Sequence, residues 1–188
     1  MEGRGVVLAE ANYSTMRNPI PSATPLGDDF VYSLSRAIRE YRFERSADGG
    51  LIVAPNHTDG GRRSGEAYYQ LRQWMERTGA GGQVFDSSAG FCLPDRSLVA
   101  ADAAWLSSAR IASLAPEQRS GYWQVAPDVA IEVSSPSDRW SDVCAKIDAY
   151  VANGSAYAIA IDGTTGATYE RGTPPPGLSI SAEAIASM

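Results

Sequence analysis

The sequence predicts one α/β (mixed α+β) domain, a central mixed β-sheet flanked by helices. Three observations lead there. Two segments with helical spacing of apolar residues lie in the first half. Short strand-like segments occupy the middle. A β-branched strand then runs through a Ser-Pro-Ser turn into a further helical segment and two more strands, the layout of a strand–helix–strand crossover. The 188 residues, 44% hydrophobic and 9% aromatic, suit a single core.

Residues 1–27 lack periodicity and read as an N-terminal arm. Asp28-Asp29 places acids at the positive end of a helix. Phe30, Val31, Leu34, Ala37, Ile38 and Tyr41 follow at helical spacing. Tyr41–Arg45, the turn Ala47-Asp48-Gly49-Gly50 and Leu51–Ala54 read as a hairpin. Residues 55–62 read as a loop and 63–78 as a helix, with Ala67, Leu71, Trp74 and Met75 on one side and Gly79 as its stop. Strands follow at Gln83–Asp86, Gly90–Leu93 and Leu98–Leu106, the last two joined by the turn Pro94-Asp95-Arg96-Ser97. Residues 107–124 form a polar crossover with a short helix near Pro116. Asp128–Val133 is a strand, and Ser134-Ser135-Pro136-Ser137 caps a helix from Asp138 to Asn153. Strands at Tyr157–Asp162 and Ala167–Glu170 close the domain (residues 28–171). The Pro-rich residues 172–188 read as a weakly defined tail.

The net charge of −6 opposes broad, sequence-independent nucleic-acid binding. It leaves room for a local basic patch. Arg36, Arg39, Arg42, Arg45, Arg62 and Arg63 concentrate in the first third, where most read as a solvated helix face. Cys92 and Cys144 lie in apolar-periodic segments and read as small buried hydrophobes, not as a disulfide framework. The sequence has no membrane-spanning apolar run and no signal-peptide start, so a cytoplasmic protein without membrane attachment is expected.

The chain carries fifteen arginines and one lysine, Lys146. Lysine is a compact point charge and arginine a planar fork, so a lone lysine raises the question of what an ammonium does there. Glu132 lies inside the apolar run Asp128-Val129-Ala130-Ile131-Glu132-Val133, where burial without a partner is costly. Asp128 is about 13 Å away along the strand and cannot share a metal ion with it. Asp102 lies in a second apolar run, Leu98–Leu106. If the two strands pair, the carboxylates approach to about 5 Å, a repulsive arrangement unless a cation intervenes. Lys146 stands on the helix that follows the strand of Glu132. Asp142 precedes it by one turn, which also allows a plain surface ion pair. Two acids on adjacent strands plus a lysine suit metal-dependent hydrolysis: Asp102 and Glu132 hold Mg²⁺ (or Mn²⁺), and Lys146 orients water or stabilises developing charge. His57, the only histidine, reads as an exposed loop residue. Gly60-Gly61-Arg62-Arg63 leads into a helix and suits either a phosphate or an ordinary cap. Trp140 and Tyr150 fit a packing stripe.

The run APDVAIEVSSPSDRWSDVCAKIDAYVANG resembles the signature of the Uma family of putative restriction endonucleases, assigned to the PD-(D/E)XK nuclease superfamily. The likeness extends upstream through FERSADGGLIVAPNHTDGGRRSG, QVFDSSAGFCLPDRSLVAADAAWLS and LAPEQRSGYW. It covers residues 28–171. The resemblance implies a restriction-endonuclease-like core, DNA as substrate and a dimeric arrangement. It also implies metal-binding acids at Asp102 and Glu132, a catalytic lysine displaced onto the following helix at Lys146, and Glu44 as a further acid lining the site. Ala101 stands where a proline is usual, and Ser134 stands at the position two after Glu132. Pro94-Asp95 and Pro127-Asp128 read as decoys. The alternative is a catalytically silent, dimeric interaction domain that keeps the nuclease fold. A third idea makes Lys146 a Schiff-base nucleophile.

Overall fold

The described residues form two sheets, and the switch between them falls inside the acid-bearing segment Leu98–Leu106. The computed structural model describes residues 26–186, so all but the last two residues of the expected N-terminal arm lie outside the described residues. The elements are α1 (Asp28–Ala37), β1 (Tyr41–Arg45), β2 (Leu51–Pro55), α2 (Thr58–Thr78), β3 (Gly82–Asp86), β4 (Phe91–Cys92), β5 (Leu98–Val99), β6 (Ala103–Ser107) and α3 (Ser108–Ser113). A 3₁₀ turn at Pro116–Arg119 leads to β7 (Val129–Ser134), α4 (Trp140–Ala152), β8 (Tyr157–Asp162), β9 (Thr168–Gly172) and α5 (Ala182–Ala186).

The larger sheet is mixed, with order β3-β6-β7-β8-β9. Its parallel pair, β7 with β8, is joined across α4, as parallel neighbours require. Its β7 is buried on both faces. Period two sends Val129 and Ile131 toward α2, against Ala67, Leu71 and Trp74. Ala130 faces the other way, toward Val143, Ile147 and Tyr150 of α4. Glu132 shares that second face. The smaller sheet, order β2-β1-β5-β4, is antiparallel. Phe91 and Val99 from it join the α4-side core, so the face bearing Glu132 looks toward the smaller sheet.

Four differences from the sequence expectation bear on the site or the core, and the expected Ser134–Ser137 cap of the crossover helix is not made either, since α4 starts at Trp140 behind Arg139 with no side-chain cap. The single strand expected at Leu98–Leu106 is two, because Ala100–Asp102 leaves both ladders. The first helix stops at Ala37, and Tyr41 begins the hairpin. The second helix starts at Thr58, five residues early. His57 caps it by accepting the Gly60 N–H at Nδ1, 3.0 Å away, so Gly60 and Gly61 lie in its first turn. A Cβ on Gly60 would sit 2.9 Å from the imidazole, so the cap needs glycine there.

The fourth difference is the tail. Residues 173–186 carry no readable period because contacts with α2 order them. Trp74 donates its indole N–H to the Pro176 carbonyl at 3.1 Å, and the Gln70 amide accepts the Ser181 N–H at 2.7 Å. Ile185 of α5 is fully buried in the α2-side core. Among the described residues, no helix is long and apolar enough to cross a membrane.

Truncating a fully buried isoleucine to alanine removes its transfer energy and leaves a cavity. Ile185→Ala should therefore lower unfolding stability by about 2–5 kcal/mol in urea titrations. An unchanged midpoint would mean the tail contributes nothing to the domain.

Candidate active site

Period two in β1 directs Phe43 into the small-sheet core and turns Arg42 and Glu44 to the other face. There they meet Asp102, Glu132 and Lys146 on one cleft wall. Glu132 is 6% exposed, Asp102 8% and Glu44 9%, so three carboxylates sit nearly dry. Buried carboxylates persist only when paired and hydrogen-bonded, and here each is.

The Lys146 ammonium contacts both glutamates, with Nζ 2.8 Å from Glu44 Oε1 and 2.8 Å from Glu132 Oε1. It also donates to the Ala100 carbonyl at 3.2 Å. Tyr150, four residues on and on the same helix face, donates its hydroxyl to Glu132 Oε1 at 2.9 Å. Asp102 Oδ1 accepts both terminal Arg42 nitrogens at 3.1 Å, and Oδ2 accepts the Val133 N–H at 2.7 Å. Glu44 Oε1 accepts the Ala100 N–H at 2.9 Å. The strand break at Ala100–Asp102 thereby has an account. Where the ladder stops, charged side chains satisfy the backbone that a strand partner would have satisfied. The last β6–β7 pair is Ala103 with Ile131, which puts Asp102 and Glu132 at the next register position.

Electrostatics follow from three acids against two cations. Burial pushes the Glu132 carboxyl up to about 7; Lys146 opposes this, and the charges of Asp102 and Glu44 add to it. Glu44 is also desolvated, but Lys146 and Arg42 outweigh that and hold it below the usual carboxylate range. Burial alone would lower the Lys146 ammonium, yet its two glutamate partners hold it above the ordinary lysine value. Burial and the neighbouring Glu132 hold the Tyr150 phenol well above its usual range.

Asp102, Glu132, Lys146 and Glu44 thus converge. Sequence reasoning missed Arg42, read as part of a solvated helix face, and Tyr150, read as packing alone. Alternation in β1 pairs Arg42 with Glu44 and carries the signal for the first. The i,i+4 step from Lys146 carries it for the second. Asp142 does not pair with Lys146: Arg139 Nε lies 3.1 Å from its carboxylate, and the lysine turns inward instead. A Schiff-base role would need a free, neutral amine, whereas Lys146 Nζ is held by Glu44, Glu132 and the Ala100 carbonyl, and its glutamate partners favour the charged form. His57 is a helix cap rather than a free loop residue. Cys92 is buried and Cys144 only half-buried. Asp95 closes its turn onto Ser97, and Asp128 holds Ser107 N–H and Arg110, so both Pro-Asp pairs lie outside the cluster.

The cluster opens into a cleft of about 610 Å³. Arg36, Arg39 and Tyr122 line it, as do Arg63 of α2, Ser134 at the end of β7 and Ser135 just beyond it.

A sequence model of the Uma2 family, described as "Putative restriction endonuclease", matches residues 29–175. Among solved structures, the fold resembles a crystal structure described as that of "a putative nuclease belonging to DUF820" from Anabaena variabilis ATCC 29413. The TM-score is 0.62 at 18% identity, over 87% of this chain and 98% of that one, a likeness of fold. No curated protein matches the chain.

Removing Lys146 leaves two buried glutamates without their cation. Lys146→Met should cost about 3–5 kcal/mol at pH 8. Without the ammonium the folded-state pKa values of both carboxyls rise, so the protonated forms are favoured and stability falls as pH increases. The deficit measured by urea denaturation should therefore shrink toward pH 5. An equal deficit at both pH values would contradict the ion network. Tyr150→Phe should cost about 1–3 kcal/mol, as expected for a lost buried hydrogen bond.

Proposed function

The chain belongs to the Uma2 family, and we propose that it is a divalent-metal-dependent DNA endonuclease hydrolysing phosphodiester bonds. The observation that carries this reading is the adjacency of Asp102 and Glu132, both buried, with one lysine against Glu132. The donor set fits the metal. Three carboxylates against two cations leave a negative surplus, and Glu132, pushed up to about 7 chiefly by burial with Asp102 and Glu44 adding to it, is a carboxyl that a bound cation would stabilise in its ionised form. Among the described residues, no group of three or more His, Cys, Asp and Glu side chains forms a metal cage. Mg²⁺ does not need one, because it binds through one or two carboxylates, waters and substrate phosphate.

Asp102 and Glu132 would hold the ion. When bound, it polarises a phosphoryl oxygen and lowers the pKa of the attacking water. The remaining work falls to the protein. Val133 N–H and Arg42 fix the Asp102 carboxylate, and Tyr150 fixes Glu132. Lys146 holds Glu132 and supplies a permanent positive charge where negative charge develops on the phosphate. Burial keeps bulk water from weakening these interactions.

The same network closes on itself through Glu44, Lys146, Glu132 and Tyr150. That favours, as a second reading, a catalytically silent nuclease-fold domain that dimerises. Calorimetry separates the two: the silent domain gives no heat with Mn²⁺.

For the nuclease, purified protein with Mg²⁺ or Mn²⁺ should nick plasmid or cut single-stranded DNA. Asp102→Ala and Glu132→Ala should reduce the rate at least about 100-fold, in line with the loss of metal-assisted catalysis. Lys146→Arg should keep the fold and lose cleavage. Identical behaviour of wild type and Glu132→Ala removes the nuclease reading.

Metal binding requires the Glu132 carboxylate to lose its proton. The gain in melting temperature on adding Mg²⁺ should therefore grow between pH 6 and pH 8, across the Glu132 value of about 7. In Glu132→Gln that pH dependence should vanish; its persistence would assign the linkage to another group.

A further inference from the structure

We infer that the cleft accepts an unpaired DNA strand in preference to an intact duplex, an inference that rests on the nuclease reading of the same site. The acids lie at the buried end of the cleft, 6–9% exposed, so a scissile phosphate has to descend to them. The cleft volume of about 610 Å³ falls in the range that takes one drug-sized ligand. That is room for a nucleotide or two. A duplex is a stiff rod with its phosphates outside, and bringing one phosphate down to acids buried at the cleft floor would require it to deform. A single strand bends freely and enters.

The rim carries the two chemistries that single-strand binders combine, a cationic backbone track and aromatic faces. Arg36 and Arg39 are exposed on the cleft wall, although the chain as a whole carries a net charge of −6. Arg63 also lines the cleft, with its Nε buried and lacking a hydrogen-bond partner. Beside them, Tyr122 is fixed by a 2.8 Å hydrogen bond to Ser35, and its ring meets that of Tyr32 edge-on at 5.5 Å. Tyr32 stands just outside the cleft lining, next to Tyr122; it is 42% exposed, with the Arg36 guanidinium over its ring at 6.0 Å. An exposed, braced tyrosine beside arginines offers a stacking surface for an unpaired base. The bases of a duplex have their faces covered by one another.

Fluorescence anisotropy tests this with an oligothymidylate of about 12 nucleotides, within single-strand site sizes, and its duplex with oligodeoxyadenylate. Ca²⁺ replaces Mg²⁺ to allow binding without cleavage. The single strand should bind at least about tenfold tighter. Tyr32→Ala should weaken single-strand binding about fivefold or more, as loss of one stacked base implies. Arg36→Gln with Arg39→Gln should weaken it and flatten its salt dependence. Circular dichroism melting confirms that these surface variants fold. Equal or tighter duplex binding, or no effect of both sets of variants, overturns the inference. A protein that cuts duplex and single strand equally also overturns it while leaving the nuclease reading intact. Tight single-strand binding without cleavage in Mg²⁺ or Mn²⁺ does the reverse.

Discussion

The contact of one ammonium with two glutamates from different sheets is the constraint on which the rest of this structure depends. Glu44 comes from β1 of the smaller sheet and Glu132 from β7 of the larger, while Lys146 comes from the crossover helix α4. An ion pair taken out of water is stable only with close geometry and all its remaining hydrogen bonds made. That requirement fixes how the small sheet sits against α4, and it fixes the ends of the strands. Ala100 gives its N–H to Glu44 and its carbonyl to Lys146. The chain therefore cannot continue the β5 ladder, and it crosses to the larger sheet with Asp102 at the turning point.

The same requirement explains which parts of the site were legible in the sequence. Glu132 and Asp102 announce themselves because a carboxylate inside an apolar run contradicts its surroundings, and burial has to be compensated by a partner. Lys146 announces itself by being the only lysine. Arg42 does not, because an arginine in an arginine-rich stretch contradicts nothing; only its register with Glu44 on a strand gives it away. Tyr150 is hidden for the opposite reason, since a tyrosine on an apolar helix face reads as packing and its hydroxyl has no signal of its own. The break between β5 and β6 is hidden too. Leu98–Leu106 is apolar throughout except for Asp102 and holds no glycine or proline, and what interrupts the strand is a bond to Glu44, more than fifty residues earlier. The ordered tail is the same kind of case: residues 173–186 have no intrinsic pattern and take their conformation from α2.

Charge is also distributed against expectation from composition. The acidic balance of the whole chain describes its outer surface poorly near the cleft, where arginines from α1, the loop after it and α2 gather around a buried acidic floor. A negative floor beneath a positive rim suits a polyanion that is to be met by a cation at the bottom. A phosphate would be attracted by such a rim and repelled by the floor unless a cation, Lys146 or Arg42 offset the acids. The raised Glu132 pKa has burial as its main cause, and the neighbouring Asp102 and Glu44 charges add to it against the opposing Lys146.

Lysine rather than arginine at position 146 then has a geometric reason. An ammonium has three hydrogens arranged about one nitrogen. At Lys146 they have three acceptors, Glu44 Oε1, Glu132 Oε1 and the Ala100 carbonyl, drawn from β1, from β7 and from the linker between the sheets. A guanidinium spreads its donors in one plane and is larger, so it matches a carboxylate edge well and a converging trio of acceptors badly. Arg42 shows the contrast within the same site, laying both terminal nitrogens on a single oxygen of Asp102. Where this chain needs a fork it has arginine, and where three elements converge on one point of charge it has its only lysine. A substrate phosphate arriving beside Lys146 would therefore meet a cation already held by three partners, positioned before the substrate arrives and costing little reorganisation when charge develops.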